Sequence, residues 1–338
     1  MFLSFTARYL VNAEALNGVG SVGNISRHRN APLVVKVDNG YAVKYFPVVS
    51  GESIAHGYQE LLAEIGRQKG LPVGKRSANG EFLKFTDEYL LQEEGITPPK
   101  DLKDARRVEV EIMLKDLVSD VGGFLYAGKG APIKRTSAFQ VSYMVPAYGV
   151  SAEVAALESQ MHVRYSQSAF KAAKGEDKQG QTQTVYQIPY NVDVGSALYS
   201  VTFNIDLDWI ATPANAGDKV KGEEDLEKQR KARQEVALLA FARLFENLEF
   251  GAKKSRFLPQ ATLEEAVITL TDSPFVVTPS VASMYAKSTA DRLAKMKSLG
   301  LVKPVLAGAV NTKGPSSDFK EFGSVAEAVE AVIKAVKG

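Results

Sequence analysis

Basic side chains in acid-free stretches, most of them glycine-rich, are the residues best suited to bind a charged ligand. They lie within residues 17–36 (Arg27, His28, Arg29 and Lys36), 122–135 (Lys129, Lys134 and Arg135), 159–175 (His162, Arg164, Lys171 and Lys174) and 251–256 (Lys253, Lys254 and Arg256). Glycine lets backbone N–H groups approach phosphate oxygens closely, and lysine and arginine neutralise phosphate charge. The pattern favours contact with a nucleic-acid backbone without base reading, although ordinary surface loops have the same composition.

One glycine motif has the spacing of a dinucleotide-binding site. It is Gly18-Val19-Gly20-Ser21-Val22-Gly23, and Asp38 lies where a ribose-binding acid is expected. The pyrophosphate of a dinucleotide binds at the N-terminus of a helix that directly follows the glycines. Here Pro32 and the run Leu33-Val34-Val35 predict a strand instead, so we expect no dinucleotide site.

A second glycine motif nearly matches a P-loop. It is Gly123-Phe124-Leu125-Tyr126-Ala127-Gly128-Lys129-Gly130. The last position of a P-loop must supply a hydroxyl to Mg²⁺, and Gly130 has none. Pro132 also stands where the following helix should rise. The sequence therefore disfavours nucleotide hydrolysis at Lys129. Tight binding of ATP that is lost in Lys129→Ala would be the evidence for it.

The three histidines have different neighbours. His28 lies between two arginines, which disfavour its charged form, so we expect a neutral or partly charged hydrogen-bonding group. His56 falls in the first turn of a predicted helix, where a structural and a functional role are both open. His162 and Arg164 share one face of a predicted strand, which suits phosphate contact. Acid–base catalysis would need a second group nearby, and the sequence locates none.

Composition excludes several classes of protein. The 338 residues include no Cys and carry a formal net charge of +2, so disulfide frameworks, thiolate metal sites and cysteine nucleophiles are excluded. No apolar run is long enough for a membrane helix, and the N-terminus lacks the pattern of a secretory signal. We expect a soluble, cytoplasmic protein without membrane contact. The length predicts one or two domains.

Hydrophobic periodicity and turn residues place these groups in an α+β protein. Asp38-Asn39-Gly40 between two β-rich runs predicts a hairpin. Residues 198–209 alternate strictly between apolar and polar, which predicts a half-buried strand. Further strands are expected at 2–12, 137–145, 159–166, 264–272 and 302–309, helices at 52–69, 106–117, from 223 to Gly251, 282–298 and 325–336, and loops at 121–132 and 171–184.

Many short strings of the sequence, in order along residues 3–275, are similar to those of one family. They include Leu16-Asn17-Gly18, Gly23-Asn24, Ser50-Gly51-Glu52, Ala55-His56, Gly70-Leu71-Pro72-Val73-Gly74, Asp120-Val121-Gly122-Gly123-Phe124, Arg135-Thr136-Ser137, His162-Val163-Arg164 and Ser255-Arg256-Phe257-Leu258-Pro259. The chain resembles the backbone subunit of the archaeal type I-A CRISPR interference complex, archaeal Cascade. The number of strings makes this resemblance far more specific than either glycine motif.

The resemblance implies an RRM-like (ferredoxin-like) core that large insertions extend into a crescent. We expect residues 1–275 to form this core, with an inserted subdomain at 71–195 and a thumb-like loop at 171–184. Residues 276–338, beyond the resemblance, would form a C-terminal helix–strand–helix extension packed on the core. Many copies would stack along one CRISPR RNA as a helical filament.

The resemblance also implies which residues contact RNA. The family positions carry over to Asn17, the loop Gly18–Asn24 with Gly20, Ser21 and Gly23, Ser50, His56, Gly122, Gly123, Arg135, His162 and the loop Lys253–Arg256 with Lys254 and Ser255. The positions of basic side chains add five further candidates for RNA contact: Arg27, His28, Arg29, Lys134 and Arg164. The protein would contact the backbone of the guide RNA, and the bases of the guide would recognise the target sequence by pairing.

The expected function is therefore a non-enzymatic scaffold that needs no cofactor and no metal. Related type III backbone subunits cleave RNA with an Asp after the first strand, and residues 17–30 contain no acid. Expected partners are CRISPR RNA, further copies of the chain, the target DNA strand through guide pairing, and the other Cascade subunits: a tail-capping paralogue, the large and small subunits and a helicase-nuclease. The alternative is a metal-independent endoribonuclease that processes CRISPR RNA through His28, His56 or His162.

Overall fold

The computed structural model describes residues 1–151, 153–166 and 186–338. The strands are β1 (Phe2–Glu14), β2 (Gly18–Val22), β3 (Ile25–His28), β4 (Asn30–Val37), β5 (Gly40–Pro47), β6 (Phe124–Tyr126), β7 (Ile133–Arg135), β8 (Phe139–Val141), β9 (Val145–Pro146), β10 (Ala155–Ser166), β11 (Tyr186–Asp206), β12 (Gln260–Thr271), β13 (Pro304–Val310) and β14 (Lys320–Phe322). The helices are α1 (Gly51–Gln68), α2 (Lys75–Ala78), α3 (Glu88–Glu93), α4 (Ala105–Lys115), α5 (Leu117–Gly122), α6 (Glu223–Asn247), α7 (Tyr285–Ser298) and α8 (Val325–Lys337). The predicted loop 171–184 lies outside the described residues.

A large mixed sheet organises the fold. β1 pairs antiparallel with β11 on one side and with β12 on the other. The long strand β11 also pairs antiparallel with β8, β9 and β10, and parallel with β3, whereas β13 and β14 extend the sheet beyond β12. Two separate two-stranded sheets are formed by β4 with β5 and by β6 with β7.

One face of the central strands packs against α1 and α6. Phe5 of β1 and Phe203 of β11 meet Phe241 of α6 at ring-centroid distances of 5.1 and 5.2 Å. The Tyr58 hydroxyl of α1 donates to the Ala237 carbonyl at 2.9 Å and so joins the two helices. The apolar face predicted for 198–209 is confirmed, because its members from Tyr199 to Leu207 are buried in this core. The strand ends at Asp206, where residues 207–209 form a 3-10 helix, and the expectation of a half-buried strand is wrong, since Ser200 and Asn204 on the other face are buried as well.

The opposite face of the central strands is covered by residues 275–282, which we call the covering segment. The Val277 and Ser280 amides donate to the hydroxyls of Ser4 and Thr6 on β1 at 3.0 and 2.9 Å. Arg8 of β1 donates to the Ser280 carbonyl at 2.7 Å. Ser4, Thr6 and Ser280 are almost fully buried. This sheet face therefore offers no open platform to a ligand.

Residues between α1 and β8 form a second apolar cluster and a buried ion network. Arg135 of β7 donates to Asp120 of α5 at 2.6 Å and to Glu109 of α4 at 3.1 Å, and all three side chains are fully buried. Arg233 of α6 pairs with the same Asp120 at 2.8 Å. The network ties α4 and α5 to α6, and Phe124 of β6 belongs to the adjacent apolar cluster.

Several predicted elements shift. The predicted loop 121–132 is wrong in part, since it holds the end of α5 and strand β6, which pairs with β7. The predicted strand 137–145 is divided into β8 and β9, because the Ser142 hydroxyl accepts the Thr202 amide between them. Helix α6 ends at Asn247, four residues before the predicted end at Gly251. The next residue, Leu248, is the C-cap and adopts φ +47°. The hairpin at Asp38-Asn39 and the tail elements α7, β13 and α8 lie near their predicted positions, and β14 is additional.

Candidate nucleic-acid interface

An open groove lies at the end of the sheet beside the N-terminus of α1. We call it the α1 groove. Four chain segments line it: Leu16–Gly18 after β1, Arg29 between β3 and β4, residues 50–60 in the cap and first half of α1, and residues 249–254 after α6. Six of the predicted contact residues meet here: Asn17, Gly18, Arg29, Ser50, His56 and Lys254.

The N-terminus of α1 is built into the groove wall by local side-chain bonds. Ser50 is the N-cap, and its hydroxyl accepts the Ser53 amide at 3.2 Å. The Asn17 side-chain oxygen accepts the Ser50 amide at 2.7 Å, so both predicted residues are buried and shape the wall. The N-terminus of this 18-residue helix contributes a partial positive charge to the groove. A Cβ on Gly57 would lie 2.6 Å from the Glu249 carbonyl, which explains a glycine at this position.

Cations and acids both line the α1 groove. Arg29 lies on one side, and its Nε is buried without a hydrogen-bond partner in the part of the chain that the structure describes. Lys254 lies on the other side, where its ammonium donates to the Leu248 carbonyl and burial lowers its pKa. Glu249 is paired with Arg243 at 3.0 Å. Glu60 lies 3.4 Å from His56, and Glu52 also faces the groove.

A smaller pocket lies between the β2–β3 turn and the edge of the β10–β11 pair. We call it the hairpin pocket, and its lining residues are Ser21, Gly23, Asn24, Ser26, Arg164 and Tyr190. The Arg164 guanidinium lies 4.7 Å from the centre of the Tyr190 ring. His162 stacks on Tyr190 at 5.4 Å and meets the edge of Phe257 at 5.3 Å. The predicted residues of 18–24 and 162–164 therefore come together.

Tyr190 and Phe257 were missed by the sequence analysis. Tyr190 is the direct strand partner of His162 in the β10–β11 pair. Phe257 follows the basic loop 251–256 directly, so its position in the sequence was a signal that the analysis left unused. In that loop Lys253 adopts φ +59°, and burial and the adjacent Arg256 lower its pKa.

Several predicted contact residues lie away from these surfaces. Arg135 does not face a ligand, because its guanidinium forms ion pairs with Asp120 and Glu109 in the buried network. Gly122 and Gly123 are packing positions, since a Cβ on Gly123 would lie 2.5 Å from the Arg135 carbonyl. Lys134 is exposed on β7, outside the two pockets, and Arg27 and Gly20 are exposed on the β2–β3 hairpin.

His28 is buried rather than exposed to a ligand. Its Nε2 lies 2.7 Å from Glu14 Oε1, and both side chains are almost fully buried. Burial lowers the pKa of His28, but Glu14, the Arg29 carbonyl and Asp193 together outweigh it and raise the pKa. The expectation that the flanking arginines would disfavour the charged form is therefore wrong, because the carboxylate is closer.

The two glycine motifs have other structures. Residues 18–22 form strand β2, and a second strand follows rather than a helix. The Lys129 carbonyl accepts the Tyr126 hydroxyl at 3.0 Å in the short β6–β7 connection. Within residues 1–151, 153–166 and 186–338, no group of three acidic or histidine side chains could hold a metal ion, and no helix is long and apolar enough to cross a membrane.

The fold and the two pockets define a mixed α/β protein with a groove of mixed charge at the end of its sheet and a basic pocket at its edge. The chain belongs to the DevR/Csa2 family, since residues 5–290 match the family described as CRISPR-associated negative auto-regulator DevR/Csa2. It is 45% identical over 331 residues to CRISPR-associated aCascade subunit Cas7/Csa2 2 of Saccharolobus solfataricus, which covers 98% of each chain. It is 35% identical over 311 residues to the Cas7/Csa2 1 protein of the same organism, covering 90% of this chain and 91% of the other. The resemblance stated from sequence strings is confirmed.

A solved structure shares the fold at low sequence identity. It is a chain of a CRISPR RNA-guided surveillance complex in its pre-nicking state, with a TM-score of 0.54 and 12% identity. The similarity covers 99% of this chain and 100% of the other.

Proposed function

We propose that this protein is a non-catalytic scaffold that binds CRISPR RNA and forms, in multiple copies, the backbone of an archaeal Cascade complex. One observation carries the proposal: the α1 groove unites six predicted contact residues that are far apart in the chain. A helix N-terminus, Arg29 and Lys254 suit phosphate oxygens, which carry no sequence information. Membership of the Cas7/Csa2 family supports the same role.

We further propose that the core is RRM-like. The strand order β12–β1–β11–β8, with each neighbouring pair antiparallel, is the order of a split β-α-β fold. Helices α1 and α6 cover one face, as that fold requires. Residues 71–195 would then be inserted into this core, with the exception of strand β8, which belongs to the core. Residues 276–338 would be an extension beyond β12, the last of the four core strands. The crescent shape remains part of this proposal.

The RNA path would run from the α1 groove to the hairpin pocket past the loop 251–256. Arg29, Lys254, Lys253, Arg256 and Arg164 would neutralise phosphates along it. Arg27 and Lys134 would contact RNA only at its margins. The bases would remain free to pair with a target DNA strand, and the other Cascade subunits would bind the ends and faces of the row of copies. We place the complex in the cytoplasm.

Imaging tests the assembly directly. Purified protein is mixed with guide RNA, with its companion subunits present, and examined by electron microscopy. We expect rows of copies whose length follows the length of the RNA. Binding to a scrambled RNA of the same length should be nearly as tight, because the protein would contact the backbone. Absence of both RNA binding and RNA-dependent rows would refute the proposal.

The competing activity is cleavage of CRISPR repeat RNA by a histidine. His56 lies 3.4 Å from Glu60 inside the α1 groove, which is the arrangement that this alternative would use. Repeat RNA is incubated with the wild type and with His56→Ala, with and without EDTA. We expect intact RNA in all four reactions. EDTA-resistant cleavage that disappears in His56→Ala would favour the endoribonuclease.

A further inference from the structure

A buried carboxylate–imidazole pair lies next to the α1 groove and does not face it. Glu14, at the end of β1, has no exposed surface, and its Oε1 lies 2.7 Å from His28 Nε2. The same oxygen accepts the Tyr199 hydroxyl at 2.8 Å. The other oxygen, Oε2, accepts the Leu16 amide at 2.7 Å. On the far side of the imidazole, Nδ1 lies 2.8 Å from the Arg29 carbonyl oxygen.

Every lining segment of the groove connects to this pair through hydrogen bonds. The Leu16 carbonyl accepts the Ala252 amide at 2.8 Å, which fixes the loop that carries Lys254. The Arg29 amide donates to the Asn17 carbonyl at 2.9 Å, and Asn17 in turn holds the Ser50 amide at the start of α1. The pair therefore joins β1, the β3–β4 junction, the loop after α6 and the helix cap.

We propose that Glu14 and His28 are positioning residues. They do not touch the RNA themselves, but they hold Arg29 and the Asn17 segment in the arrangement that binds it. This inference rests on the proposed RNA-binding function of the groove. It assigns Glu14 a role that charge and exposure do not reveal, because a buried acid beside a phosphate site would otherwise repel the ligand. As an ion pair with His28 it adds little net charge to the site.

The charged state of both partners suits this role. A doubly protonated ring places its charge 2.7 Å from Glu14 at Nε2 and donates a hydrogen bond from Nδ1 to the Arg29 carbonyl; the Nε2 contact is a close ion pair rather than an aligned hydrogen bond. Among the described residues, Asp193 also lies close to the ring, and its carboxylate accepts the His28 amide at 3.1 Å; Arg27 and Arg29 are the neighbouring cations along the chain. Burial raises the pKa of Glu14, but His28, Leu16 and Tyr199 outweigh it and lower the pKa. Burial and Glu14 raise the pKa of Tyr199, so its phenol stays a donor.

The sign of the pH dependence follows from these directions. The pKa of folded His28 is above its unfolded value, so its contribution is complete below the unfolded pKa and is lost as pH rises through the folded pKa. The pKa of folded Glu14 is below its unfolded value, so its contribution is lost only as pH falls through the folded pKa. The groove should therefore keep its arrangement below the folded pKa of His28 and lose it as pH rises through that pKa.

The experiment measures guide-RNA affinity across pH for the wild type, Glu14→Gln, Arg29→Ala and the double variant. Glu14→Gln should weaken binding by about tenfold. This is the low end of the loss in affinity that follows when a residue that orients a metal ligand is replaced, and Glu14 orients the groove residues in the same indirect way. Its loss of affinity as pH rises through the pKa of His28 should move to lower pH, because the amide no longer raises that pKa. The double variant should lose less affinity than the sum of the two single variants, since Glu14 acts in part through Arg29.

Controls separate positioning from general stability. Glu109→Gln removes a carboxylate that is also fully buried and paired, away from the groove, and should lower thermal stability without moving the pH midpoint of RNA binding. Should Glu14→Gln fail to fold, His28→Gln replaces it, and the part of the affinity loss that follows the titration of His28 should disappear, while the loss from Lys253 and Lys254 stays as in the wild type. An unshifted midpoint, or fully additive losses in the double variant, would overturn the inference while leaving the proposed function intact. A wild type that does not bind guide RNA would instead refute the proposed function.

Discussion

The salt dependence of RNA binding gives the sharpest measure of which cations bind phosphate. Each neutralised phosphate of a single strand contributes about −0.7 to the slope of log affinity against log salt. Five cations lie along the proposed RNA path: Arg29, Arg164, Lys253, Lys254 and Arg256. If all five bind phosphate, the wild-type slope is about −3.5, so a fourfold rise in salt weakens binding by about a hundredfold.

Removal of one groove cation should change this slope by a fixed step. Arg29→Ala and Lys254→Ala should each reduce its magnitude by about 0.7, to about −2.8. The expectation is firmest for Arg29, whose Nε has no partner among the described residues. Lys254 also donates to the Leu248 carbonyl, so its substitution changes the loop as well as the charge.

The assay is fluorescence anisotropy of a labelled guide RNA at several salt concentrations. Lys295→Ala is the matched control, because Lys295 is exposed on α7 and belongs to neither pocket. Its slope should equal that of the wild type. If Arg29→Ala and Lys254→Ala change the slope no more than Lys295→Ala does, the assignment of the α1 groove to phosphate binding is refuted.

Three further substitutions test the fold around the site. Asp120→Ala leaves Arg135 and Arg233 buried without their shared carboxylate, so the free energy of unfolding should fall by about 3–5 kcal/mol in urea titration, and an unchanged midpoint would contradict the buried network. Phe203→Ala should cost about 3–5 kcal/mol in the same measurement, because the ring packs against Tyr58 and Phe241, and a loss below about 1 kcal/mol would argue against this core. Ser50→Ala removes the N-cap of α1 and should cost about 1 kcal/mol by thermal unfolding, together with a modest loss of RNA affinity at an unchanged salt slope. A changed slope in Ser50→Ala would instead indicate direct phosphate contact.

Local patterns in the sequence were sufficient for the elements whose stability is set by neighbouring residues. The alternation of residues 198–206 and the turn at Asp38-Asn39-Gly40 depend on periods and backbone preferences within a few residues, and both are found in the structure. Strand β6 was missed because its pairing with β7 and its packing against Phe85 are not visible in a glycine-rich string. Its three residues carry little local signal.

The candidate site divides along the same line. Residue type and local charge were enough to predict Arg29, His56 and Lys254, which the structure brings into one groove. Arg135 looked equally suitable, but its two carboxylate partners lie 15 and 26 residues earlier, so sequence alone could not place it in the interior. The Glu14–His28 pair was hidden for the same reason, because β1 must first meet the β3–β4 junction.

The covering segment also determines which parts of this chain are free to vary. The hydroxyls of Ser4 and Thr6 are already bonded to its backbone, so a substitution there must be matched by a change near residue 277 or 280. The β2–β3 turn is also tied to a distant strand, because the Asn24 side-chain amide donates to the Pro189 carbonyl of β11 at 3.2 Å. The turn at Asp38-Asn39 belongs to the separate β4–β5 sheet, so its length and composition can be exchanged between relatives while the registers of β1 with β11 and β12 stay unchanged.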